Sequence, residues 1–434
     1  MLNFLLETGI DSYYTIIGIC IVVILSFVFN IISKKTNIPS VLLLILLGLG
    51  IQYLLKWLDF PEADLFATLQ VLGIIGLIMI VLEAALDLKL TREKAPLILK
   101  SLAVALIALI GSSFVCAYII NYYLISDPFI SLVYAIPLSI MSSAIIIPSV
   151  SGLVEHKKEF MIYESTFSDI LGIMFFYFLI GTPEGSTAGQ IAFDVTLNII
   201  ITMVASFVIS FALILIFQRL TTQVKLFLLI AILTLLYAIG KKLFQLSSLI
   251  IIMAFGLIIN NYKIFFIGPF KKWIKDSAVD NILRELHFIT LETAFVIRTF
   301  FFVVFGMTIS LTSLISFKVA FVSLCIILAL YIVRYICLKI FLWRDIIPQL
   351  YIAPRGLITI LLFFAIPIQM QDDNFRPGIL LYTILISSLI MTYSLVVNKD
   401  KKEKASLSEP QQDIESDTMK VETGSENQTP PSEH

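Results

Sequence analysis

Thirteen runs of about twenty apolar residues, separated by short charged or turn-rich breaks, constrain this 434-residue chain more than any other feature of it. They cover residues 12–33, 38–58, 66–88, 97–124, 128–154, 159–180, 188–217, 224–241, 246–261, 286–311, 315–341, 346–369 and 378–397, the ninth being short. A bilayer core roughly 30 Å thick needs about 20 helical residues per crossing. A mean hydropathy of +0.98, with 59% hydrophobic and 14% charged residues, exceeds what a water-soluble core can bury. The chain reads as an all-α polytopic membrane protein with about thirteen transmembrane helices.

Net charge is −1, from 30 basic and 31 acidic residues, which removes any case for a nucleic-acid partner on bulk electrostatics. Cys20, Cys116, Cys325 and Cys337 each sit inside an apolar run without C-x-x-C spacing and read as small hydrophobes. His156, His287 and His434 are scattered through the chain, so no metal set is formed and no cofactor is implied. Residues 1–10 carry no basic stretch of the kind that opens a cleavable signal, so the first run is expected to remain as an anchor.

Lysine and arginine in short loops stay on the cytoplasmic side during insertion. Odd-numbered connections carry them: Lys34 and Lys35, then Lys89, Arg92 and Lys94, then Lys157 and Lys158, then Arg219 and Lys225, with later odd loops alike. Even connections read DFPEAD, SDP, TPEGST, SLTSLIS and QMQDDNFRP, with Lys241 and Lys242 the one sizeable exception. The expected topology places the N-terminus outside and the C-terminus in the cytoplasm, in the inner (plasma) membrane.

Residues 1–397 form the transmembrane domain, and 398–434 change abruptly to Lys, Glu, Ser, Asp, Gln and Pro, the composition of a disordered cytoplasmic tail. Residues 262–285 alternate aromatic and basic side chains and suggest an amphipathic helix on the inner surface or a snorkelling linker.

A charge at mid-membrane costs about 2.5–3.5 kcal/mol even on the lenient insertion scale, so charges within the runs mark function or pairing. The candidates are Glu164 and Asp169 in the sixth run, Glu292 and Arg298 in the tenth, Arg334 in the eleventh and Arg355 in the twelfth. Asp87 and Lys100 lie nearer helix ends, where snorkelling to the interface explains them.

Prolines supply the second clue. Pro137 and Pro148 bracket SIMSSAIIIP in the fifth run, and Pro348, Pro354 and Pro367 surround YIAPRGLIT in the twelfth, so both helices should lose backbone hydrogen bonds at mid-depth. Those runs are seven apart, so two six-helix repeats, first to sixth and eighth to thirteenth, would insert with opposite topologies. Inverted repeats crossing at interrupted helices are the architecture of ion-coupled transporters with a midplane site.

Several stretches resemble the monovalent cation/proton antiporter superfamily, with its sodium/hydrogen exchanger-like membrane domain. YESTFSDILG at 163–172 resembles its sixth helix, and LYIVRYICL around Arg334 its eleventh. YIAPRGLIT resembles the arginine-glycine stretch of its twelfth, IVLEAALDLKL at 80–90 its third, and FVIRTFFFVVFGM at 295–307 its tenth. The resemblance implies that Asp169 binds the cation or the proton, that Ser168 stands where relatives carry Asn or Asp, and that Ser165 can offer an oxygen ligand. It implies a buried ion pair between Glu164 and Arg334, a supporting charge at Arg298, and a role for Arg355 in securing the crossing. Relatives often carry Thr-Asp-Pro or Ser-Ser-Thr in the fifth helix, where this chain has Ser142-Ser143-Ala144 without an acid, leaving Ser143 or exposed carbonyls as ligands. A homodimer is also implied.

A hard alkali cation prefers carboxylate, hydroxyl and carbonyl oxygens, and a proton competes for the same carboxylate. If only a neutralised Asp169 permits reorientation, exchange is obligatory. With Ser168 neutral, one carboxylate changes occupancy, so exchange of a monovalent cation for a proton should be electroneutral. Sodium is the favoured cation, with Li+ or K+ as substitutes. The alternatives are a K+/H+ antiporter or potassium efflux system of the same superfamily, a channel, or a membrane-embedded transferase using Glu155-His156 or Glu164, for which no metal spacing or phosphate-cradling loop is present.

Overall fold

The computed structural model describes residues 12–36, 40–57, 66–91, 93–181, 188–219, 228, 231–235, 248–266, 271, 273–308, 316–343, 346–372 and 374–408. Among them are fourteen α-helices, two short 3-10 turns and no strand. In chain order the helices are α1 (Ser12–Thr36), α2 (Ser40–Trp57), α3 (Phe66–Asp87), α4 (Ala95–Tyr123), α5 (Pro128–Ser139), α6 (Ser143–Ser149) and α7 (Glu155–Ile180). Then come α8 (Ala188–Phe217), α9 (Ser248–Asn260), α10 (Tyr262–Phe265), α11 (Asp276–Thr308), α12 (Phe317–Leu342), α13 (Leu357–Phe364) and α14 (Gly378–Ser408).

Eight spans among the described residues are long and apolar enough to cross a bilayer, and shorter apolar stretches at Val204–Phe217 and Ile251–Asn260 add to them. Twelve of the thirteen expected spans correspond to helices or, for the fifth and twelfth, to interrupted ones; of the eighth, 224–241, the described residues are 228 and 231–235 alone. The protein is an all-α, multi-pass membrane protein with interrupted fifth and twelfth spans.

Local chemistry sets where the helices begin. The Asp127 side chain accepts from the amides of Phe129 and Ile130 at 2.7 and 3.0 Å, capping α5, and Pro128 occupies a first-turn position where its missing N–H costs nothing. Asp276 in the first turn of α11 favours a helix start ten residues before the expected 286, so 276–285 belong to a membrane helix. The expected amphipathic segment is thereby reduced to the four-residue α10 and the turn that follows; residues 267–270 and 272 lie outside the described residues. Helix α14 runs on to Ser408, past the expected boundary at 397, and the rest of the expected tail is outside the described residues.

Two groups of helices share the burial. Helices α2 and α3 each pack along α11, with α9 against α3 and α8. Helix α4 packs along α5, α7 and α12, and α12 along α14. Contacts between the groups are sparse and fall where α13 and α7 meet α3 and α9. Burial peaks in the second group: 78% of the span Pro128–Ser149 is buried, against 6% of Ile16–Ser33 in α1. The interrupted fifth span is therefore the centre of the molecule.

Candidate cation and proton site

The fifth span breaks between α5 and α6, within the stretch bracketed by Pro137 and Pro148, and leaves three consecutive backbone amides outside the helical ladder. Each finds a different partner. Met141 N–H donates to Ser168 Oγ at 3.0 Å, Ser142 N–H to the Pro354 carbonyl at 3.0 Å, and Ser143 N–H to Asp169 Oδ2 at 3.1 Å. An unpaired amide in a bilayer costs several kcal/mol, so the fifth span is tied to α7 by two bonds and to the broken twelfth span by the third. The twelfth span folds as a turn through 346–351, an extended stretch through Gly356, and then α13.

Two glycines permit this crossing. A Cβ on Gly356 would come within 2.5 Å of Ser142 Oγ and 2.8 Å of its Cβ, and one on Gly172 would overlap the Ile140 side chain. The glycine of the arginine-glycine pair in the twelfth span and the final glycine of YESTFSDILG thus leave room for the Ser142 and Ile140 side chains.

Glu164 and Arg334 pair, with Nη1 to Oε1 at 2.8 Å and Nη2 to Oε2 at 3.1 Å. Arg334 also donates through Nε to the Gln349 and Leu350 carbonyls at 3.1 and 3.2 Å, and through Nη2 to Gln349 at 2.7 Å. Its Nη1 reaches Met141 Sδ at 2.9 Å. One guanidinium therefore binds α7 and both interrupted spans. Arg355, 3% exposed, donates through Nε to the Leu138 carbonyl at 2.8 Å and through Nη1 to Ala353 at 3.3 Å, while its amide donates to Ser387 Oγ at 3.0 Å. Leu138 lies in the last turn of α5, where carbonyls carry partial negative charge.

Asp169 is 1% exposed, and its second oxygen, Oδ1, is buried without a hydrogen-bond partner among the described residues. Such a group is rare in a native interior, and a carboxylate oxygen can accept a proton or ligate a cation. Ser165 lies one turn before Asp169 on the same face of α7, wholly buried, its hydroxyl donating to the Ile162 carbonyl at 3.2 Å. Ser143 is buried beside Asp169 and meets it through its amide, while Ser168 holds the break. Among the described residues no group of three His, Cys, Asp or Glu side chains could hold a metal ion.

Arg298 lies in the α3–α11 interface, with Nη2 2.6 Å from Glu83 Oε2. On the same two helices Asp87 Oδ1 lies 2.8 Å from His287 Nε2. Sequence reasoning passed over Glu83 and read Asp87 as an interface anchor, although the two are four residues apart in one apolar run. Two carboxylates on one helical face repel unless cations oppose them, and that spacing was the available signal. Glu292 and Lys100 are exposed.

The comparisons with known proteins agree with this architecture. The chain is similar to the structure of the sodium proton antiporter MjNhaP1 from Methanocaldococcus jannaschii at pH 8, with a TM-score of 0.69, 19% identity, and 92% of this chain and 99% of that chain covered. An electron-microscopy structure of the same antiporter gives a TM-score of 0.64 at 18% identity, covering 92% and 98% of the two chains. No curated protein sequence matches the chain. Residues 21–397 match the family model described as sodium/hydrogen exchanger, transmembrane, so the chain belongs to that family of cation/proton antiporters, which are transporters and not enzymes.

Proposed function

We propose that the protein exchanges Na+ for H+, one for one and without net charge movement, by competition of the two ions for Asp169. The observation that carries this reading is the asymmetry of that carboxylate: Oδ2 is fixed by the Ser143 amide, and Oδ1 is buried without a partner. A carboxylate held at one oxygen and vacant at the other is positioned to be neutralised by either ion. Ser165 and Ser143 supply neighbouring oxygen atoms for the cation.

Electroneutrality follows from the charge inventory. Ser168 and Ser143 are neutral where a second acid could stand, Glu164 is paired with Arg334, and Glu83 with Arg298. One titratable charge therefore remains at the crossing. The sparse packing between the α4–α7/α12–α14 group and the α2–α3/α11 group gives alternating access a physical route, in which the group bearing the crossing shifts against the other once Asp169 is neutral. The protein works as a homodimer in the plasma membrane, with its N-terminus outside and the tail from 398 in the cytoplasm, as the loop charges favour.

The test is reconstitution into proteoliposomes with an imposed pH gradient. Addition of Na+ should dissipate the gradient more effectively than K+, and Asp169→Asn, which keeps size and hydrogen bonding, should be folded and inert. Preference for K+ would assign the potassium/proton reading instead, and substantial exchange by folded Asp169→Asn would remove Asp169 from the mechanism.

A further inference from the structure

We propose that the cavity between Arg334 and Arg355 is a binding site for one small monovalent inorganic anion, of halide type. The cavity lies behind Ser168, on the side of the crossing where α4 and α12 close over it, and is lined by Ser112, Ser139, Met141, Ser168 and the two arginines on an otherwise aliphatic wall. It leaves about 10 Å3 for the centre of a water-sized sphere, room for a single species of that size.

The lining is one-sided in charge. Arg334 is neutralised by the two-point pair with Glu164. Arg355 makes no ion pair among the described residues, and its side-chain bonds run only to the carbonyls of Leu138 and Ala353, through Nε and Nη1. Its Nη2, with two N–H groups, has no protein acceptor among them. Backbone carbonyls offer a fraction of a unit charge each, so a full positive charge, 97% withdrawn from solvent, is left to be balanced.

The lining is one-sided in hydrogen bonding as well. The Ser112 hydroxyl has no partner among the described residues. Ser168 Oγ spends an acceptor position on Met141 N–H and retains its own hydrogen. Across Arg355, a second cavity of about 10 Å3 by the same measure receives the Tyr331 hydroxyl, which is also without a partner. No acidic residue lines either space. A buried site with spare donors and an uncompensated guanidinium selects an acceptor-only, negatively charged occupant of about water size. Carboxylates and larger oxyanions are too large for the space.

The test reads binding without transport, so its failure is separate from failure of the sodium/proton reading. Thermal unfolding of the purified protein is measured in sodium chloride, sodium bromide and sodium gluconate at equal sodium concentration and ionic strength. Chloride and bromide should raise the midpoint saturably by about 2 °C or more relative to gluconate. Ser112→Leu, which fills the cavity while leaving Asp169, Glu164 and Arg334 themselves unchanged, should fold and lose that shift, and crystals grown in bromide should show an anomalous peak beside Arg355. Equal midpoints in chloride and gluconate, a full halide shift in Ser112→Leu, or a cavity holding only water in the bromide crystals would each overturn the proposal.

Discussion

Glu164 and Arg334, 170 residues apart in sequence, meet through two hydrogen bonds of 2.8 and 3.1 Å with side chains 0% and 4% exposed. The geometry matches a planar guanidinium against a planar carboxylate, the arrangement in which arginine cannot be exchanged for lysine. Because Arg334 also donates to two carbonyls of the twelfth span and reaches Met141, the pair fixes the relative positions of α7, α12 and both breaks. Glu164→Ala should leave a buried, unpaired guanidinium and cost roughly 3–5 kcal/mol. Reduced expression and a lowered melting midpoint are expected, and the double variant Glu164→Gln/Arg334→Met should lose less than the sum of the single changes. Additive losses in that cycle would mean that the two residues act independently.

The crossing makes a steric prediction at Gly356. Its missing side chain is replaced in space by Ser142, the residue whose amide bonds to Pro354. Gly356→Ala must push the two interrupted spans apart, at a cost of roughly 1–3 kcal/mol for overpacking, and should reduce exchange more than it reduces the amount of folded protein. Pairing it with Ser142→Gly, which opens the same space, should restore part of the activity. A Gly356→Ala protein with parental stability and transport would show that the spans do not approach this closely.

Much of this architecture was legible because the membrane makes its rules strict. Runs of twenty apolar residues and proline-interrupted spans map directly onto helices, and twelve expected spans have counterparts. Glu164, Asp169, Arg334 and Arg355 could be singled out because each carries a charge inside an apolar run, and all four sit at or beside the crossing. What the sequence could not convey was pairing at a distance. Arg298 shared the signal of an intramembrane charge, yet it faces Glu83 across the α3–α11 interface, since which helix lies opposite is a property of packing and not of spacing. The partner of each freed amide was equally hidden. Proline positions said that the fifth span would break, and only the fold could bring Ser168, Pro354 and Asp169 to the three amides of that break.

Stoichiometry can be read from the response to membrane potential. With one carboxylate changing occupancy, one positive charge crosses in each direction per cycle, and exchange in proteoliposomes clamped with valinomycin should run at the same rate at zero and at 100 mV. Moving one net charge through that potential would be worth about 2.3 kcal/mol, enough to change a rate tens-fold, so the two outcomes are well separated. Ser168→Asp would add a second carboxylate beside Asp169 and release Met141 N–H from a hydroxyl to a charged acceptor. Voltage-driven acceleration in the parent would refute one-for-one exchange.

Competition at Asp169 fixes the shape and the movement of the pH profile. At low pH protons hold the carboxylate and exclude the cation, so exchange slows; at high pH the cation holds it and protons are too scarce to complete the cycle. The rate must therefore pass through a maximum. Raising the cation concentration displaces protons from the same oxygen, so the acidic limb should move to lower pH, by about one unit for each tenfold rise in cation while a single proton competes with a single cation. The measurement is the initial rate of gradient dissipation over a grid of pH and Na+ concentration. An acidic limb that stays in place across that grid would mean that the proton acts at another group, and one with a geometry for it is the Asp87–His287 pair, 2.8 Å across at the end of α3. Asp87→Asn separates the two cases: it should leave the cation-dependent movement intact if Asp169 is the shared site, and should alter the acidic limb if the proton acts at Asp87 or His287.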